Sequence, residues 1–223
     1  MRAAVKICGL KTKEDTALCL RLGADYVGFV TEYPEPVPWN LERTEAAALV
    51  AEAERLAPGR ACVVTGGGPE AVVALARLLR PAFIQLHHRE SAADTGAIAA
   101  ALRRDGIRLI RAVFPDMDAA AVRAYAATGA AALLLDPRAP ENAVAGGAAS
   151  ADFFRRVAAL TSLPLILAGG ITAANARRLL QATGAAFIDV MSGAESAPGV
   201  KDAEKIRAVL RAAHENDGQH IFS

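Results

Sequence analysis

The sequence has little of several features that mark particular classes of protein. Its 223 residues carry a formal net charge of +1, and lysines and arginines form no stripe, so we expect no nucleic-acid partner. No uninterrupted apolar run approaches the ~20 residues of a membrane-spanning helix. Because a strand-like pattern begins at Ala3, we expect no signal peptide. The sequence therefore predicts a globular domain that binds neither nucleic acid nor membrane.

Cysteines are also few. Cys8, Cys19 and Cys62 are an odd set without the spacing of a metal site, which favours a reducing, cytoplasmic location and no bound metal. Cys19 lies in a helical pattern and Cys62 in a strand, so both are expected to pack in the core. Cys8 differs because it ends a strand.

Apolar residues, by contrast, make up 53% of the chain, and they fall into eight strand-like runs. The runs are residues 3–8, 25–30, 61–64, 82–86, 108–113, 131–135, 165–168 and 186–190. The helical segments are residues 13–22, 41–56, 69–79, 92–103, 119–128 and 152–160, a segment around Leu179, and residues 202–213. Regular alternation with short connections predicts a single-domain (β/α)₈ TIM barrel over residues 1–213. The polar residues 214–223 are expected to form a frayed tail.

Two glycine turns follow the last two strands. Gly169-Gly170 follows the seventh and Ser192-Gly193 the eighth, and in such barrels these loops often bind phosphate. Glycine lets backbone N–H groups approach an anion, and a helix N-terminus adds a favourable dipole. The alternative is a pair of tight turns with no ligand, but two turns at adjacent strand ends favour phosphate.

Reactive side chains also end strands at the same rim. Cys8 could act as a general base if partly ionised. Asp136 could act as a general acid if a partly apolar site raises its pKa. The alternatives are a small buried thiol and a turn-capping carboxylate. His87 either positions a ligand or belongs to a surface turn, and Trp39 either covers a ring-shaped ligand or, as we prefer, packs its own loop.

Motifs along nearly the whole chain resemble the phosphoribosylanthranilate isomerase family of tryptophan biosynthesis. They are VKICGL at residues 5–10 with Glu14 and Asp15, GADYVGF at 23–29, IQLH at 84–87, LLD at 134–136, LAGGI at 167–171 with Asn175, DV at 189–190, SGAE at 192–195, PG at 198–199 and KD at 201–202. Any one motif is weak, but together and in this order they are specific.

The resemblance implies a cofactor-free aldose–ketose isomerase that performs an Amadori rearrangement on a phosphosugar, as a monomer or a homodimer. Asp136 would protonate the furanose ring oxygen, and Cys8 would remove the proton from C2′. The residues implied to bind the phosphate are Gly169, Gly170, Ser192 and Gly193. Asp189 could orient a ribose hydroxyl, and His87 belongs to one of the matching motifs.

The chain departs from the family pattern in the loop of residues 31–40. The family usually has an arginine there that pairs with the anthranilate carboxylate, whereas this loop has three prolines, two acids and no basic residue. Buried carboxylates need a cation or several donors. Our first candidate is Arg111, followed by Arg43 and His88. Two other readings stay open: a paralogue acting on a different phosphosugar, and a non-catalytic barrel that binds a phosphate ligand.

The remaining departures lie near the predicted phosphate turn and in two other loops. Met191 replaces the usual first serine of the cup, and His88 stands where glycine usually follows the histidine. Gly147 is followed by Ala148 rather than by a serine or threonine.

Overall fold

The computed structural model describes residues 2–142 and 148–214, which form a closed barrel of eight parallel strands with eight helices around it. The barrel strands are β1 Ala4–Ile7, β2 Tyr26–Thr31, β3 Ala61–Thr65, β4 Phe83–Leu86, β5 Arg108–Val113, β6 Ala132–Leu135, β7 Leu165–Leu167 and β8 Phe187–Val190. The helices are α1 Lys13–Leu22, α2 Arg43–Leu56, α3 Pro69–Leu79, α4 Ala92–Arg104, α5 Ala119–Ala126, α6 Ala151–Ala158, α7 Ala173–Thr183 and α8 Ala203–His214. The predicted (β/α)₈ fold is confirmed.

Strand β1 closes the barrel. It pairs in parallel with β2, where Ile7 lies opposite Val27, and with β8, where Ile7 lies opposite Val190. The other strands pair with their neighbours in chain order. All strands therefore point the same way, and their carboxyl ends meet at one rim.

Side chains of each strand alternate between the barrel interior and the layer beneath the helices, because the strand period is two. The interior apolar set consists of Cys62, Phe83, Ile110, Ala112, Phe114, Ala132, Leu134, Ile166 and Ala168. A larger set, including Ile84, Leu109, Val113, Leu133 and Leu135, packs under the helices. Since both faces are buried, the strands read as continuous apolar runs.

Helix starts follow local capping chemistry. Thr12 accepts a hydrogen bond from the Asp15 N–H at 3.0 Å and caps α1. Helix α2 begins at Arg43 after a Glu42–Glu45 capping box, so the predicted start at residue 41 is wrong. Leu41 instead belongs to a two-residue strand, Asn40–Leu41, beside β2. This strand returns the proline-rich loop to the sheet.

Two other features lie beyond or beside the predicted elements. A small hairpin of Glu195–Ala197 and Val200–Lys201 precedes α8, where no strand was predicted. His214, the first residue of the predicted tail, ends α8, while residues 215–223 and Gly146-Gly147 lie outside the described residues. In the part of the chain that the structure describes, no helix has both the length and the apolar character to cross a bilayer.

Candidate active site

A pocket opens at the carboxyl ends of the strands. It gathers seven of the predicted site residues from five different strands or the loops after them, namely Cys8, His87, Asp136, Gly169, Gly170, Asp189 and Ser192. Gly193 is adjacent in sequence to Ser192 but is not among the lining residues.

Tight backbone packing shapes the two glycine turns. Gly169 and Gly170 have φ values of 90° and 59°, which favour glycine. A Cβ on Gly193 would lie 1.9 Å from the Ile171 carbonyl oxygen, so no side chain fits there. Asn175 completes the capping box of α7 and donates from Nδ2 to the Gly170 carbonyl at 2.9 Å. The first turn is thereby tied to the start of α7, where N–H groups favour an anion.

Cys8 lies next to a buried cation. It is 5% exposed, and Lys6, two residues earlier on the same inward face, is fully buried. Burial raises the pKa of the Cys8 thiol, and the Lys6 ammonium opposes this rise. A Cβ on Gly28 would come within 2.8 Å of both Cys8 Sγ and Lys6 Cε, so glycine is what admits the pair.

A chain of hydrogen bonds runs from Lys6 across the barrel to Asp136. Lys6 Nζ contacts Asp189 Oδ2 at 2.8 Å and Gln85 Oε1 at 3.0 Å. With its oxygen facing the ammonium, Gln85 presents Nε2 to His87 Nδ1 at 2.9 Å. Nδ1 must then accept, so the ring proton is assigned to Nε2, which points at Asp136 Oδ2 at 3.4 Å. Lys6 thus orients His87 as a donor to Asp136.

Asp136 is buried, 3% exposed, and held in a fork by Arg138. Arg138 Nε donates to Oδ1 at 2.9 Å and Nη2 to Oδ2 at 2.8 Å, while the Arg138 backbone N–H donates to Oδ1 at 2.9 Å. Burial acts to raise the pKa of Asp136, but the hydrogen bonds from His87 and Arg138, together with the charge of the Arg138 guanidinium, outweigh it and hold this pKa well below its usual range. The expected raised pKa is therefore wrong for this state of the pocket.

One wall of the pocket is apolar and aromatic. Tyr33 and Trp39 from the proline-rich loop line it together with Val30, Val64 and Met191. The Tyr33 hydroxyl donates to the His87 carbonyl at 3.1 Å, which fixes the loop against β4. Trp39 packs against this cluster, as preferred from the sequence, and also faces the pocket.

Arg111 does not reach the pocket, so the prediction that it binds the substrate carboxylate is contradicted. Its neighbours Ile110 and Ala112 point into the barrel, so Arg111 points outward beneath the helices, where it is fully buried. It donates to the carbonyls of Leu86, His88 and Glu90, and its Nη1 lies 3.3 Å from the Glu90 carboxylate. Its guanidinium also lies 4.4 Å from the centroid of the Tyr125 ring. These contacts give it a structural role.

The other two cations proposed for the carboxylate bind the acids of the loop. Arg43 pairs with Glu32, and His88 Nε2 lies 3.3 Å from Glu35 Oε1. Neither Arg43 nor His88 is among the residues lining the pocket. The two acids therefore have cationic or polar partners of their own.

Sequence reasoning missed three polar residues of this site. Lys6 and Gln85 each lie two positions before a predicted site residue, so strand periodicity places them on the same inward face. Arg138 lies two residues after Asp136 in the loop that leaves β6, and its side chain is 22% exposed. Among the described residues, no group of three or more His, Cys, Asp or Glu side chains could hold a metal ion.

Comparison with known proteins identifies the family of this chain. A family profile described as N-(5′-phosphoribosyl)anthranilate (PRA) isomerase matches residues 5–212. The N-(5′-phosphoribosyl)anthranilate isomerase of Rhodopseudomonas palustris strain BisA53 is 40% identical over 217 residues, which cover 94% of each chain.

Solved structures agree with this match. The crystal structure of phosphoribosyl anthranilate isomerase from Thermus thermophilus has a TM-score of 0.76 and 31% identity, covering 94% of this chain and 97% of that chain. A phosphoribosyl anthranilate isomerase in complex with reduced 1-(o-carboxyphenylamino)-1-deoxyribulose 5-phosphate has a TM-score of 0.75 and 25% identity, covering 95% of this chain and 98% of that chain. On these matches, the chain belongs to the N-(5′-phosphoribosyl)anthranilate isomerase family.

Proposed function

We propose that this chain converts N-(5′-phosphoribosyl)anthranilate into its 1-deoxyribulose 5-phosphate isomer with Asp136 as general acid and Cys8 as general base. The reaction is an aldose–ketose isomerisation, the activity for which the family is named. The observation that carries the assignment of roles is the meeting of an acid, a thiol and two glycine turns in one pocket. A barrel that only binds a phosphate ligand would need neither the acid nor the thiol, so the presence of both Asp136 and Cys8 in the pocket argues against that reading.

The phosphate would bind at the turns of Gly169, Gly170, Ser192 and Gly193. A Cβ placed on Gly169 would lie 3.7 Å from Asp136 Oδ1, so the acid stands beside the first turn. In a ribose 5-phosphate only C4′, C5′ and one ester oxygen separate the ring oxygen from phosphorus. A phosphate held at this turn therefore brings the ring oxygen near Asp136. The ring oxygen is the atom that the general acid must protonate.

The proton transfers then follow in order. Protonated Asp136 gives its proton to the ring oxygen as the bond between that oxygen and C1′ breaks, leaving a Schiff base between C1′ and the aromatic nitrogen. Cys8, whose thiol has first given its proton to solvent, takes the proton from C2′ as a thiolate and yields an enol. The enol becomes the ketone when its hydroxyl loses a proton and C1′ gains one. Solvent returns the proton from Cys8 to Asp136, so the cycle balances.

Asp189 is suited to hold a ribose hydroxyl. Its Oδ2 is paired with Lys6, while its buried Oδ1 accepts no hydrogen bond within the described residues. A substrate hydroxyl donating to Oδ1 would satisfy that oxygen. His87, which donates to Asp136, would orient the acid rather than contact the sugar.

Freshly made phosphoribosylanthranilate tests the proposal directly. Its fluorescence should decay with the purified chain faster than the spontaneous rate, and the gene should restore growth of a tryptophan auxotroph lacking this isomerase. General acid–base groups contribute roughly 10²–10⁴-fold, so Asp136→Asn should lose about that much turnover. No decay above background with folded wild-type chain would overturn the function.

Phosphate binding needs a separate test. Inorganic phosphate should bind between the two glycine turns and compete with substrate, since the donors belong to the backbone. An anion-soaked crystal with density elsewhere and none at these turns would remove the phosphate assignment. The monomer-or-homodimer state and the cytoplasmic location remain predictions, to be tested by sedimentation and by cell fractionation.

A further inference from the structure

We propose that Arg138 binds the anthranilate carboxylate, and that it leaves Asp136 to do so, which lets Asp136 take up the proton needed to open the ring. This inference rests on the proposed function and deepens it. It assigns to the loop after β6 the recognition that the family's loop after β2 usually provides. It also links recognition of the aromatic acid to the first chemical step.

The composition of the pocket leads to Arg138. Among the described residues that line the pocket, Arg138 is the one with a guanidinium group. The other candidate cations are held elsewhere. Arg43 pairs with Glu32, and His88 lies beside Glu35. Arg111 is held by backbone carbonyls and by the Glu90 carboxylate. A planar guanidinium matches a carboxylate through two parallel hydrogen bonds. The geometry that Arg138 shows towards Asp136 is the geometry it would offer the substrate.

The place of Arg138 in the pocket suits an aromatic acid. Arg138 lines the pocket with Ala139 and Pro140 from its own loop, and Tyr33 and Trp39 form an aromatic wall of the same pocket. An anthranilate ring against that wall, with its sugar phosphate at Gly169, would bring the ortho carboxylate into the neighbourhood of the β6 loop. The side chain is 22% exposed, so a ligand can reach it.

The exchange matters because Asp136 is in the wrong charge state before substrate binds. Held by His87 and by the Arg138 fork, it is a carboxylate and has no proton to give. The largest single influence on its pKa is burial, which favours the neutral acid. Once the substrate carboxylate takes Arg138, burial is opposed by His87 and one backbone N–H. Asp136 then accepts one proton from solvent and later passes it to the ring oxygen.

The other groups around the pair do not replace Arg138. Tyr33 from the β2–α2 loop and Asp189 on β8 both act electrostatically on this pair, but neither supplies a positive charge. His87 donates one long hydrogen bond at 3.4 Å. The charge of the substrate carboxylate is therefore what moves Arg138, and a substrate without it leaves the pair closed.

Binding measurements test the first half of the proposal. Two ligands are compared by calorimetry, reduced 1-(o-carboxyphenylamino)-1-deoxyribulose 5-phosphate and its phenylamino counterpart without the carboxyl group. Arg138→Met should weaken the carboxylated ligand roughly ten- to hundredfold, as expected for a charged hydrogen-bonded pair, and leave the other unchanged. The second ligand also reports that the variant is folded. Arg55→Met, which removes an exposed arginine paired with Glu52 on α2, is the matched control.

Turnover tests the second half through a crossover. With phosphoribosylanthranilate, Arg138→Met should raise KM on the order of ten- to hundredfold. With the phosphoribosyl adduct of aniline, which has no carboxylate to displace Arg138, the wild type should be slow. With this aniline adduct, Arg138→Met should increase kcat on the order of tenfold, because Asp136 is no longer held in an ion pair. An arginine with a purely structural role would lower both rates together.

The outcomes separate this inference from the proposed function. A wild type that does not isomerise phosphoribosylanthranilate overturns the function itself. A wild type that does so, with equal affinity of Arg138→Met and wild type for the carboxylated ligand, overturns only the role of Arg138 in recognition. Selective loss of that affinity without a gain in kcat on the aniline adduct overturns the link to Asp136.

Discussion

Replacing Lys6 with methionine should destabilise the barrel more than any loss of packing would explain. Lys6 is 1% exposed and Asp189 9% exposed in their side chains, with 2.8 Å between Nζ and Oδ2. Methionine keeps an unbranched stem of similar length but removes the ammonium. Asp189, whose Oδ1 already lacks a donor, would then be an uncompensated charge in the barrel interior.

The magnitude follows from the burial of the pair. Removing one partner of a buried ion pair costs about 3–5 kcal/mol, because the remaining charge stays desolvated. At about 2–4 °C per kcal/mol for a chain of this size, the melting temperature should fall by roughly 6–20 °C. Gln85 also loses the donor to its Oε1, so His87 loses the contact that sets its orientation.

Denaturant unfolding of three proteins separates charge from packing. The wild type is compared with Lys6→Met and with Lys6→Met/Asp189→Asn, which lacks both charges. The double variant should regain most of the lost free energy of unfolding, because well-packed neutral pairs often replace buried ion pairs at little cost. If the single and double variants unfold at the same midpoint, the loss is one of packing and the charge argument is refuted.

Three further predictions concern the site. Cys8→Ala should lower turnover by roughly 10²–10⁴-fold, while circular dichroism should show an intact fold. A steady-state rate near that of the wild type would mean that Cys8 has only a packing role. Gly193→Ala should weaken phosphate binding and lower the stability of the fold, because the added Cβ meets the Ile171 carbonyl. The control Gly96→Ala, whose Cβ meets open space on α4, should instead stabilise the fold by about 0.5–1 kcal/mol. Equal melting temperatures for these two variants would contradict this prediction. In the folded protein the hydrogen bonds of His87 and Arg138 outweigh burial and lower the pKa of Asp136. The ionised Asp136 therefore stabilises the fold at pH values above its unfolded pKa of about 4, and this contribution is lost as the pH falls below that value. The unfolding free energies of wild type and Asp136→Asn should therefore converge as pH falls, and a constant gap would contradict the ion pair.

Much of the fold followed from local pattern. Continuous apolar runs, capping residues such as Thr12 and glycines after the runs are set by neighbours close in sequence, so eight strands and their order could be predicted. Once the strands are parallel, their carboxyl ends must share a rim, which placed Cys8 and Asp136 in one pocket. The start of α2 was missed because Leu41 is apolar and suits both a helix and a strand.

The face of a strand residue was harder to predict where both faces are buried. In β5 the sequence RLIRAV shows no alternation, so nothing in the run itself said that Arg111 points beneath the helices. Its place follows from the inward Ile110 and Ala112, and these are recognised only when the barrel closes. The same period of two, counted back from Cys8 and His87, would have identified Lys6 and Gln85.

The sequence by itself determined the barrel, its rim, the glycine turns and the reactive side chains, because each depends on backbone propensity and residue order. Only the tertiary structure decided the electrostatics of the site. The Lys6–Gln85–His87 chain joins residues at two different strands, β1 and β4, whereas the Arg138 fork closes within the loop that leaves β6. Burial gives each of these contacts its strength. A carboxylate at a strand end is a candidate acid in any sequence. Whether it carries a proton depends on which cation the fold brings beside it.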